Sequence, residues 1–181
     1  MSADILWFKE FRVRTFPSET YRWICTFEYY LTDATCSSET ILTALLQDEH
    51  YAHAFMSPFR TGSGVITYLV PDGNVPVGDH KVRGPYLLDR LTPDSFDEIN
   101  AEGAWEQIDE FLGGGRPPNS RSDLDLNTLV GNAFDTADEL FRLREDVKAQ
   151  HDVAWVISDW SELVVMDRSA KKVLNLAFGS D

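Results

Sequence analysis

Two pairs of apolar runs, each joined by a short polar link, constrain this chain most. Residues 5–16 and 21–31 flank Phe16-Pro17-Ser18-Glu19-Thr20; residues 163–166 and 173–178 flank Asp167-Arg168-Ser169-Ala170-Lys171-Lys172. Links this short join antiparallel neighbours, whereas parallel strands need a crossover of a dozen or more residues. Within 5–16, Trp7, Phe11 and Val13 read as one face of a strand and Phe8, Glu10, Arg12 and Arg14 as the other. Further strands are expected at 65–70, at 153–157 and, as a strand or a buried loop, at 86–88.

Three stretches carry the helical period. Ser37 or Ser38 caps a helix to about Met56, with Ile41, Leu42, Leu45, Leu46, Ala52 and Met56 apolar. Ser95-Phe96-Asp97-Glu98 has the form of a capping box opening a helix to about Leu112. A long helix is expected from Asp123 or Asp125 to about Gln150, on the stripe Leu126, Val130, Ala133, Ala137, Leu140 and Val147. The order ββαβ(β)ααβββ does not alternate strictly, so the fold class is α+β: a largely antiparallel sheet with two or three helices packed on it. At 181 residues the chain is read as a single domain, 1–181, with a Gly/Pro-rich loop at about 113–122 that can be neither helix nor central strand.

Charge separates the halves. The chain carries 30 acidic and 16 basic residues, net −14. Residues 1–91 hold 11 acids and 8 bases; residues 92–181 hold 19 acids and 8 bases. Such a field repels phosphate backbones and anionic lipids and speeds encounter with a basic protein, so the expected partner is a basic protein, not nucleic acid or membrane. No apolar run reaches the roughly 18 residues of a membrane helix, and Met1 to Trp7 lacks a signal-peptide pattern, which leads to an expected cytoplasmic location. Cys25 and Cys36 match no zinc or redox spacing.

Motifs for chemistry are weak. The glycines of Gly62-Ser63-Gly64 and 113–115 do not stand between a strand and a helix N-terminus, so no nucleotide cradle is expected. Asp48-Glu49-His50-Tyr51-Ala52-His53 would bring Glu49, His50 and His53 to one face if helical, but it lacks the zinc-protease spacing and reads as a solvated face with Glu49 paired to His53. No cofactor, metal or catalytic residue is assigned. In WVISDWSELVVMD, residues 155–167, the polar knot Ser158-Asp159-Trp160-Ser161-Glu162 reads as a tight turn whose Trp160 covers the core edge or marks a contact surface. Asp159 and Glu162 acting as acid and base across a cleft is the enzymatic alternative.

The acidic stretch ranks highest. Between Asp94 and Glu110 lie seven acids and no base: Asp94, Asp97, Glu98, Glu102, Glu106, Asp109 and Glu110. On one helix, Glu98, Glu102, Glu106 and Glu110 form a ridge whose like charges cost a few tenths of a kcal/mol per pair. A ridge that weakens its own helix points to a use. The expected partner-binding residues are Asp97, Glu98, Glu102, Trp105, Glu106, Asp109, Glu110, Asp159, Trp160 and Glu162. The expected function is an acidic protein-binding domain of the immunity or inhibitor class that neutralises a basic toxin or nuclease, since bacterial immunity proteins share this size and charge. The segments ELVVMD and KVLNL also resemble the terminal strands of SMI1/KNR4-type immunity domains. The alternatives are a small-ligand domain or hydrolase with a carboxylate-lined cleft, and a homodimer joined through the 125–150 helix.

Overall fold

β1 (Leu6–Phe16) and β2 (Arg22–Leu31) pair antiparallel, as the short link between them requires. The structure is a computed structural model and describes residues 5–16, 22–52, 81–113, 130, 132–150, 157 and 159–180. The further described elements are α1 (Ser38–Gln47), β3 (Val82–Arg83), β4 (Tyr86–Leu87), β5 (Phe96–Ile99), α2 (Ala101–Phe111), α3 (Ala133–Thr136), β6 (Glu139–Leu143), β7 (Asp159–Asp167) and β8 (Lys172–Ser180). The class is α+β. Six strands form one antiparallel sheet in the order β1-β2-β8-β7-β6-β5, and β3-β4 is a separate two-stranded unit. The expected strand at 65–70, most of the 113–122 loop and residues 153–156 lie outside the described residues.

Both faces of the sheet are buried. On one, Trp23, Cys25, Phe27, Tyr29 and Leu31 of β2, Val173 and Ala177 of β8, and Val164 and Met166 of β7 meet Ile41, Leu42, Leu45 and Leu46 of α1. On the other, Ile24, Leu163, Val165, Leu174, Leu176 and Phe178 meet Ala104 and Ile108 of α2, with Ala133 and Phe134 of α3. A strand covered on both sides has no wet face to mark with polar residues. That is why β2 and β8 read as nearly continuous apolar runs.

Five expectations change. The proposed faces of β1 are split by a bulge between Phe8 and Glu10, where Lys9 falls outside the pairing register while its ammonium reaches Glu28 of β2 at 2.7 Å. One extra residue inverts every later side chain. Trp7 therefore lies across from Tyr30 and Phe11 across from Phe27, on opposite faces. α1 stops at Gln47 rather than near Met56, because Asp48 turns extended and its carboxylate accepts the backbone N–H of His50 at 2.8 Å.

The Ser95 capping box does not open a helix. Ser95 Oγ accepts the Thr92 N–H at 3.1 Å, and Phe96–Ile99 pairs with β6 as an edge strand. α2 starts only at Ala101, capped by Asn100, whose Oδ1 accepts the Gly103 N–H at 2.8 Å.

The long 125–150 helix does not run through its described part, where only residue 130 and the one turn of α3 are helical. Residues 139–143 are a strand between β5 and β7, with Leu140 serving one core and Phe141 and Leu143 the other. The apolar stripe was compatible with both periods, and two waiting strand edges decided it. The polar knot is likewise not a turn: Asp159 to Glu162 pair with Ser180 to Ala177 as the first residues of β7. The link at residues 168–171 is the hairpin turn the sequence predicts. No helix among the described residues is long and apolar enough to cross a membrane.

Candidate functional site

The acidic face is built on β5 and α2. Ala104 and Ile108 are wholly buried against the sheet, and Trp105 packs edge-on to Phe134 with ring centroids 4.9 Å apart. With that stripe turned inward, the 3.6-residue period turns Glu102, Glu106, Asp109 and Glu110 outward, and all four are exposed. Asp94, Asp97 and Glu98 are exposed as well. None of the seven makes an ion pair within the described residues.

The ridge is shorter than the sequence suggests. Glu102, Glu106 and Glu110 are stacked along α2, but Glu98 belongs to β5 and lies across from Phe141, on the α1 side of the sheet. Asp97 lies across from Arg142, on the α2 side. The carboxylates thus wrap around the sheet edge instead of forming one line. Trp105, half-buried against Phe134, is committed to holding α2 down.

Asp159, Trp160 and Glu162 are placed differently. Strand alternation sends Asp159 to one face and Trp160 and Glu162 to the other, so Asp159 and Glu162 cannot flank one cleft. Asp159 is exposed and accepts the Ser180 hydroxyl at 2.7 Å. Glu162 is wholly buried, as are Arg83 and Asn175. Glu162 therefore does not stand on the surface beside the exposed carboxylates: in this structure it is paired inside the sheet with its own counter-charge.

The counter-charge is Arg83, which sequence reading missed. Its Nη2 donates to Glu162 Oε1 at 3.1 Å and its Nε to the same oxygen at 3.2 Å, and Nη1 donates to the Tyr51 carbonyl at 2.9 Å. Nη2 also donates to Asn175 Oδ1, and Asn175 Nδ2 donates to Glu162 Oε1 at 2.7 Å and to the Leu163 carbonyl at 3.2 Å. Among the described residues, three rings lie about the guanidinium, with centroids 4.1 Å (Tyr51), 4.6 Å (Phe27) and 6.0 Å (Trp160) from its carbon. Trp160 is half-buried, edge-on to Trp23 at 5.7 Å, and covers Gly84, whose φ of 52° and missing Cβ let the ring sit on the β3–β4 turn.

Burial disfavours the Arg83 charge, but Glu162 and the adjacent tyrosines outweigh it and raise its pKa above the ordinary value. Burial pushes the Tyr51 and Tyr29 hydroxyls well up and the Cys25 thiol to about 12, with Arg83 partly opposing each shift. These neighbours stay neutral, and among the described residues the buried charge pair is Arg83 with Glu162.

The Asp48–His53 group does not form a helix face. His50 lies flat on Phe8 at 4.0 Å and its Nδ1 is 3.2 Å from Asp48, while His53 is outside the described residues. Among the described residues no three His, Cys, Asp or Glu side chains gather as a metal site. A cavity of about 550 Å³ opens between the end of α1 and residues 81–93, lined by Thr43, Gln47, Lys81, Asp89 and Thr92 with apolar Leu46, Leu88, Leu91 and Pro93. It is separate from both carboxylate groups. No protein-family model, no curated protein and no solved structure matches the chain.

Proposed function

We propose that this chain is an acidic protein-binding domain of the immunity or inhibitor class, whose β5–α2 edge docks a basic protein such as a toxin or nuclease. The observation that carries this reading is the exposure of Asp94, Asp97, Glu98, Glu102, Glu106, Asp109 and Glu110 on one edge, none in an ion pair within the described residues. A solvated face that served only solubility would gain from interspersed bases, and this stretch has none. Carboxylates in this state steer a cationic partner and set its register. They are screened as the Debye length shrinks from about 10 Å at 0.1 M salt to about 3 Å at 1 M.

The test is a charge-reversal set, Glu102→Lys, Glu106→Lys and Glu110→Lys, beside a control set at Glu39 and Glu49, on the opposite side of the sheet or in its loops. The basic protein retained by the wild-type chain from its host is purified, and its affinity for each form is measured at low and high salt. Loss of affinity and of its salt dependence in the α2 set alone supports the reading. Equal affinities across wild type, α2 set and control set reject it.

The cavity beside α1 favours one second reading, a small-ligand domain, because Lys81, Asp89, Gln47 and two threonines converge on a partly apolar hollow of about 550 Å³. Lys81→Ala and Asp89→Ala would then abolish binding of small anionic or zwitterionic compounds while leaving the basic partner bound.

A further inference from the structure

The buried arginine is held like a ligand. Its described polar partners come from the loop after α1 (the Tyr51 carbonyl), from β7 (Glu162) and from β8 (Asn175), and the rings about it from β2, the same loop and β7. The guanidinium itself is carried by the β3–β4 hairpin, which lies outside the six-stranded sheet. Among the described residues, the receptor half lies in the sheet and the loop after α1. Its design matches a planar cation: acceptors round the edge and aromatic rings near the faces. An ammonium is a compact point charge without a flat face or a fork and could not satisfy this set.

We propose that Phe27, Tyr51, Trp160, Glu162 and Asn175 form a receptor for an arginine side chain, filled in this structure by the chain's own Arg83, and that an arginine of another protein can take its place.

The physics makes such an exchange selective. Lifting the hairpin alone leaves Glu162 charged and unpaired inside the sheet, which is strongly disfavoured. Lifting it while another guanidinium enters keeps the pair, the Asn175 contact and the ring contacts. Opening is thus closed to lysine-bearing or neutral partners and open to arginine-bearing ones. Among the described residues the hairpin's further ties are these: the Leu87 N–H donates to the Ala149 carbonyl at 2.7 Å, Tyr86 bridges Gln150 and is buried, and Gly84 lies against the Trp160 ring. Arg83 is an intramolecular occupant, so its effective concentration exceeds that of a free competitor. A competing arginine must exceed that, which calls for further contacts that hold its own protein in place. The proposal stands apart from the acidic edge: it concerns β2, β8 and β7 in the interior of the strand order and uses none of the edge residues.

The first arm of the test empties the receptor. Thermal midpoints of wild type, Arg83→Ala and Arg83→Ala/Glu162→Gln are measured with methylguanidinium and with methylammonium at matched ionic strength. The expected result is a rise of about 3–6 °C for Arg83→Ala at ten times the dissociation constant of methylguanidinium. Methylammonium gives no rise, and neither ligand raises wild type or the double variant. If Arg83→Ala does not fold, recovery of native far-ultraviolet dichroism on refolding is read with the same two ligands, and Arg83→Lys is treated in parallel. Equal responses to the two cations, or none in any variant, overturn the proposal. The second arm follows hydrogen exchange of residues 82–91 in wild type with millimolar tetra-arginine or tetra-lysine. Exchange several-fold faster with arginine alone supports replacement; identical exchange makes Arg83 a permanent strut and overturns it.

Discussion

Glu162 and Glu106 are the same residue type in opposite settings. Glu162 lies in the sheet with Arg83 and Asn175 bonded to it and aromatic rings around the pair. Glu106 stands on α2 in open solvent with no ion pair within the described residues. The first carboxylate is spent on internal order, and the second is free to act on something outside. A carboxylate's sequence neighbourhood does not separate these roles. Its place on a strand or helix, and what faces it, does.

The sharpest way to break the contrast is to remove one partner of the buried pair. Glu162→Ala should cost about 3–5 kcal/mol in urea unfolding, since it strips the buried Arg83 guanidinium of its described counter-charge, whereas Glu106→Ala should fall within about 0.5 kcal/mol. The apolar double Arg83→Met/Glu162→Leu should recover much of the loss. Recovery would assign the pair to specificity more than to net stability, and additive losses would contradict the pairing.

Alkaline pH should act strongly on the buried region. Cys25, Tyr29, Tyr51 and Tyr86 all have folded pKa values raised above the ordinary 9.0 and 10.0, burial being the largest cause in each. Their contribution is complete below the unfolded pKa values and is lost as pH climbs past them, because the unfolded chain then releases protons the folded chain retains. Stability should fall by about 1.4 kcal/mol per pH unit for each such group above about pH 10. Tyr51→Phe should flatten that slope. An unchanged slope would mean the hydroxyl titrates normally.

Glycine substitutions should differ in sign between the regions. Gly84→Ala places a Cβ into the Trp160 ring at a φ of 52°, and about 2 kcal/mol of destabilisation is expected. Gly103→Ala in the first turn of α2 meets only Asn100 Oδ1 at 3.4 Å and Ile99 Cβ at 4.0 Å, ordinary contacts, and should stabilise by about 0.5–1 kcal/mol. Thermal melts of the two variants give the comparison directly.

The smallest effect is on the acidic helix. Glu110→Gln should raise stability by a few tenths of a kcal/mol, because it removes both repulsion from Glu106 and a negative charge near the negative end of the helix dipole. Glu102→Gln should give less, since a negative charge in the first turn is favoured by that dipole. Equal effects at both ends would mean that neither the dipole nor the neighbouring carboxylates act on these side chains.

The strands were easier to read than the helices. β1, β2, β7 and β8 follow from their apolar runs and short links, and α1 from its Ser37 cap. Residues 95–99 and 139–143 were misassigned for one reason: Ser95 to Glu98 and the Leu140 stripe carry genuine helical signals, outweighed by backbone pairing across the sheet. The knot at residues 158–162 has turn-forming side chains, yet β8 continues to Ser180 and offers it a partner strand. The buried node was invisible. Arg83 beside Gly84-Pro85 looks like any turn cation, and residues 79 and 92 positions apart carry no mark of contact.

By itself the sequence determined the α+β class, the antiparallel pairings of nearby strands and a surplus of negative charge in the second half, because periodicity, link length and composition are local properties. The tertiary structure alone decided which strand adjoins which distant strand, where the acidic helix begins, and that Glu162 faces inward to Arg83 while Glu102, Glu106 and Glu110 face water. Those outcomes depend on which backbone edges and counter-charges meet in space, and a buried charge is tolerable only where the fold delivers its partner.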